Sequence, residues 1–165
     1  MQQKSHINKG LIIAAVLICF DAITHITRVN FYEWTTFAFA AIIIVGLVMS
    51  IYFYNKELNR NTSFGILFTH GFKTAAVIAC VFFIYNLLAV YIFFPNFVQE
   101  LFNNDISELK KHGTLDEKML KENMEMALKI TKYKHFALTL IGTLFLGIIG
   151  SVVGSVATQK KSTNN

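Results

Sequence analysis

Three runs in this chain, Thr35–Tyr54, Thr74–Phe94 and Phe136–Thr158, are overwhelmingly apolar and carry no charged residue. A helix needs roughly 20 such residues to cross about 30 Å of hydrocarbon. No soluble fold has an evident use for three of them, because few apolar surfaces in water are that long. A bilayer offers no partner for unsatisfied backbone, so each run reads as a transmembrane helix. Composition agrees: 54% of residues are hydrophobic and only 15% charged, against about a quarter charged in ordinary soluble domains.

A fourth span is predicted over Leu11–Thr27, reaching full length only if Asp21 is included. Lys4 and Lys9 before the apolar run Leu11–Phe20 imitate an export signal. No small-x-small cleavage pattern follows, and Ile18 stands where a lipoprotein signal needs a small residue before Cys19, so the segment reads as a retained helix. The predicted fold class is therefore an all-α integral membrane protein with four transmembrane helices, in one membrane domain spanning residues 1–165.

Between the first two spans, "RVNFYEW" mixes Arg28, Tyr32, Glu33 and Trp34, as a headgroup-level turn does. The polar stretch "NKELNRNTS" reads as the next loop. Phe64–Lys73 extends the third apolar region beyond one perpendicular crossing. It reads as an interfacial lead-in before a dive near Thr74, with one long tilted helix as the alternative. Pro95 closes that span.

Residues 95–135 then form a charged segment whose acids and lysines balance. Its expected form is an extramembrane helical hairpin. Phe97, Leu101, Ile106 and Leu109 give the first arm a loose helical pattern. Thr114 to Glu117 reads as a capping box that opens the second arm, which can continue into the fourth span.

With four spans both termini share a side with Lys4, Lys9, Lys56, Arg60, Lys73, Lys160 and Lys161, which favours cytoplasmic termini. The net charge of +5 is thereby explained by topology, and no nucleic-acid surface is expected.

Candidate chemistry centres on Asp21 and His25, four apart and so on one helix face. An acid inside a span costs about 2.5–3.5 kcal/mol on insertion scales. One reading is a proton or cation site with His70, Lys73 or Asn86 as partners. The other is structural, with Asp21 paired across a helix contact and Lys73 snorkelling to water. A metal set drawn from His25, His70, His112 and His135 lacks ligand spacing, and Cys19 and Cys80 read as small buried hydrophobes. No cofactor motif, nucleophile elbow or phosphate loop is present in the sequence, so no enzymatic activity is expected. In the fourth span Gly150 and Gly154 form a GxxxG pair, flanked by Gly147, Ser151 and Ser155. Such a face packs within its own bundle or joins a second subunit.

The order of features, with "SFGILFTHGFK" entering the third span, "FFPNF" closing it and a glycine-rich last span ending in "TQKK", resembles the bacterial membrane-protein family catalogued as domain of unknown function 4199. Gly71, Phe72, Lys73, Pro95 and Phe97 carry most of the likeness. The resemblance implies a four-helix protein of the bacterial inner membrane and brings no catalytic residue. The expected function is a structural, accessory or interaction role whose partners are the lipid bilayer and a protein met through the 95–135 hairpin or the fourth helix. The alternative is a small oligomeric transporter or channel that handles a proton or cation at Asp21.

Overall fold

A computed structural model describes residues 5–29, 33–58, 62–111 and 124–163. These form five α-helices: α1 (Ser5–Ile26), α2 (Glu33–Glu57), α3 (Phe64–Leu88), α4 (Phe97–Lys111) and α5 (Met124–Thr163). Four segments, Ser5–Ile26, Glu33–Glu57, Phe64–Phe93 and Met124–Gln159, are long and apolar enough to cross a membrane. Parts of the interhelical turns around Tyr32 and Arg60, together with His112 and the Thr114–Glu117 capping box, lie outside the described residues.

The third span is one continuous helix from Phe64, with no break at Thr74. Nothing in "THGFKTAA" supplies a helix stop, since Gly71 in a helix interior costs only about 1 kcal/mol. The long-helix alternative therefore replaces the separate lead-in. Its last turn, Ala89–Phe93, widens to π geometry, and the Phe94 amide donates to the Ala89 carbonyl at 2.7 Å. Phe94 leaves the helix at φ −132° and ψ 63°, as a residue before proline does when its ring neighbour disfavours the α region. The fourth span likewise runs unbroken from Met124 through the charged "TKYKHF".

α1 ends in a paired carbonyl cap. The Val29 amide donates to Thr24 O (3.0 Å) and the Arg28 amide to His25 O (3.2 Å), which requires a left-handed residue between them. Arg28 takes that conformation at φ 57°.

The chain divides into two compact units, one built from the described residues up to Phe82 and from Leu140 onward, the other from Phe83–Thr139. In the first, Leu17, Ile43, Leu47, Ile51, Leu67 and Ile78 are fully buried. Small residues bring its helices close. A Cβ on Gly147 would fall 2.6 Å from Ala75 Cβ, and one on Gly10 would fall 2.8 Å from Val77 Cβ. Outward faces are as greasy as the core: Phe37 is 73% exposed, Ile12 65% and Phe145 62%. Helices apolar on every side suit a surrounding of lipid. Cys19 and Cys80 both lie on exposed positions, contrary to their expected burial. Hydropathy cannot tell inward from outward when both environments are apolar.

In the second unit, Val90, Phe97, Val98 and Phe136 form a core, with Phe83, Leu87, Phe94 and Leu101 packed around it. The first turns of α4 are thus packed against the end of α3 and against Phe136 of α5.

Candidate functional site

Asp21 and His25 meet as their spacing requires. His25 Nε2 lies 3.6 Å from Asp21 Oδ2, with side chains 11% and 23% exposed respectively. Both groups of this contact belong to α1. Thr24 and Thr27 nearby turn their hydroxyls back onto the helix, donating to Asp21 O (2.8 Å) and Ile23 O (2.7 Å).

His70 belongs to a different cluster, at the opposite end of α1. Its ring stacks on Tyr54 at 3.8 Å with planes 5° apart, and lies edge-on to His6 at 6.4 Å. Nε2 of His70 is 3.2 Å from Ser50 Oγ, and both residues are buried. From His6 to Asp21 the helix rises about 22 Å. The structure therefore does not bring His70 to Asp21.

Around this cluster the unit opens into a cavity of about 740 Å³. Its walls include His6, Tyr54, Ser63, Thr69, His70 and Lys73, together with Gly65 and Ile66 from the first turn of α3. Lys73 is exposed and forms no ion pair among the described residues. Glu57 stands close by but is engaged: Lys9 Nζ lies 3.0 Å from its Oε1, and the Ser5 hydroxyl lies 3.4 Å from Oε2. Lys9 also sits 5.6 Å from the Tyr54 ring centroid. One further polar group is buried here without a partner among the described residues, Asn55 Oδ1 in the last turn of α2.

Asn86 lies in the second unit, where its Oδ1 is 3.2 Å from His135 Nε2. Phe97 meets the His135 ring edge-on at 5.0 Å, Lys134 reaches Asp105 at 3.5 Å, and Lys132 sits 4.3 Å from the Tyr91 ring centroid. The expected polar set thus divides into Asp21 with His25, His70 with Lys73, and Asn86 with His135.

The helix-packing residues face inward in the first unit. A Cβ on Gly150 would lie 3.3 Å from Ile44 Cα, and one on Gly154 would lie 3.1 Å from Val48 Cα, so this pair runs along the α2 backbone. Ser151 and Ser155 are fully buried, and each donates its hydroxyl at 2.6 Å to the carbonyl four residues earlier, Gly147 O and Ser151 O. Ser151 also faces Gly71, where a Cβ would stand 2.8 Å from its Oγ.

Chemically, Ser50 and His70 have the reach of a nucleophile and base. Ser50 does not line the cavity, however, and the His70 ring is held by Tyr54. No group of three or more His, Cys, Asp or Glu could hold a metal among the described residues. Sequence reasoning missed His6, Tyr54, Ser50 and His135, whose partners lie on other helices at separations that carry no pattern.

No curated protein and no solved structure matches the chain. Over residues 8–160 it matches a family model, and the chain belongs to the family described as protein of unknown function (DUF4199).

Proposed function

We propose that this chain is a four-span protein of the bacterial inner membrane with a structural or accessory role, and neither an enzyme nor a conduit. One observation carries this reading: α5 meets α2 and α3 through glycines at close range, the packing of a helix fixed against its neighbours. Gly147 faces Ala75, Gly71 faces Ser151, and Gly150 and Gly154 face the α2 backbone. Asp21 fits the same reading, since an imidazole stands 3.6 Å from its carboxyl on its own helix. The exposed apolar faces of α1, α2, α3 and α5 meet lipid, and the basic end bearing Lys9, Lys56 and Lys73 lies toward the cytoplasm. We place the expected 95–135 hairpin, whose residues 112–123 lie outside the described ones, beyond the bilayer, where α4 and the described first turns of α5 present a partner surface.

Two measurements test this. In intact vesicles Cys19 and Cys80 should resist a water-soluble maleimide yet react with a lipid-soluble one, and equal reaction with both removes the membrane assignment. In liposomes, wild type and Asp21→Asn should be equally silent in proton and cation flux. Flux that vanishes only in Asp21→Asn overturns the accessory reading in favour of transport.

A further inference from the structure

The cavity beside His70 has an unusual balance of charge. Among the described residues no carboxylate lines it, the nearby Glu57 is engaged by Lys9 and Ser5, and Lys73 brings a cation with no counter-ion. His6, Ser63 and Tyr54 add groups able to donate hydrogen bonds. The first turn of α3, at Gly65 and Ile66, contributes the positive end of a helix dipole. About 740 Å³ is the size of a small-molecule site. Such a lining is wrong for a cation and right for an anion with several acceptor oxygens.

The setting narrows the anion further. On the neighbouring stripe of α3, Phe64, Phe68 and Phe72 stack in a ladder with centroids 5.9 and 6.1 Å apart. A polar, cationic recess beside an aromatic ladder whose end rings, Phe64 and Phe72, are exposed is the form of a site for an amphiphile, its head in the recess and its chain along the rings. The cytoplasmic leaflet, where basic span ends gather, is also where anionic lipids concentrate.

We infer that this cavity binds a phosphate-bearing anion, in the form of an anionic phospholipid headgroup held by Lys73, His6, Tyr54 and Ser63. The lipid form rests on the membrane reading above; the anion chemistry does not.

The test is native mass spectrometry of the full chain in micelles carrying equal amounts of phosphatidylglycerol and phosphatidylcholine. Wild type should retain phosphatidylglycerol roughly tenfold over phosphatidylcholine, and Lys73→Gln should erase that preference while Lys73→Arg keeps it. His6→Gln should weaken it, and Lys132→Gln in the second unit should leave it unchanged. Circular dichroism on each variant separates lost binding from lost fold. Equal retention of both lipids by wild type, or full preference in Lys73→Gln, overturns the site. Displacement of phosphatidylglycerol by millimolar inorganic phosphate upholds the anion chemistry and overturns its lipid form. Resistance of the same chain to carbonate extraction from membranes is scored separately, so a failed site is distinguishable from a failed membrane assignment.

Discussion

Gly147→Ala should be destabilising, and Ala75→Gly in the same chain should relieve the damage. The added Cβ would stand 2.6 Å from Ala75 Cβ, whereas apolar carbons rest about 3.5–4.0 Å apart, so α3 and α5 must part by about 1 Å. Alanine has no rotamer that could relieve the clash. The penalty therefore belongs near the upper end of the 1–3 kcal/mol typical of overpacking, about 3 kcal/mol. Better helix propensity returns about 1 kcal/mol, leaving a net loss of about 2 kcal/mol. With Ala75 cut back to glycine, the nearest remaining atom is its Cα at 3.8 Å, an ordinary contact. The two substitutions should therefore couple favourably by about 1–3 kcal/mol in a double-mutant cycle. Reversible unfolding in mixed micelles, followed by circular dichroism, measures every corner of the cycle. Gly142→Ala is the control: nothing lies within 4 Å of its new Cβ, and it should gain up to about 1 kcal/mol. A coupling near zero, or a Gly147→Ala chain as stable as Gly142→Ala, would mean that the helices do not meet here as described.

Arg28→Gly should stabilise the chain by about 1 kcal/mol, because φ 57° strains any residue with a Cβ; unchanged or lower stability in the same unfolding assay contradicts this. Asn55→Leu should be neutral or stabilising by up to about 1 kcal/mol, since a buried Oδ1 without a partner is itself a cost, and a loss above about 1 kcal/mol would reveal a ligand on that oxygen. His135→Phe keeps the ring contact with Phe97 but removes the hydrogen bond to Asn86. It should cost about 1 kcal/mol and speed amide exchange in Phe83–Thr139; exchange that is unchanged there argues against the pairing.

What the sequence made legible follows from how local each interaction is. The spans could be read because hydrocarbon length is a one-dimensional constraint, and Asp21 with His25 could be read because one helix makes the pair by itself. Helix ends were less accessible. α3 begins at Phe64, since a charged residue such as Lys73 does not stop a helix and hydropathy registers only where the apolar run changes. The exposure of Cys19 and Cys80 was hidden because a span is apolar toward lipid and toward protein alike. The site around His70 was hidden for a topological reason. Tyr54 and Ser50 come from α2 and His6 from α1, and only the antiparallel stacking of these helices places them at one level. Likewise Asn86 and His135 are polar singletons in the sequence and become a pair only through the return of α5.

The contact between Asp21 and His25 also bears on how the chain is made. Carboxyl and imidazole stand 3.6 Å apart on one helix, four residues apart in sequence, so the contact is local to that helix. Since both groups lie on α1, that contact is available as soon as this helix has formed. α1 can thus enter the bilayer with an imidazole already beside its acid, without waiting for a group from α2, α3 or α5.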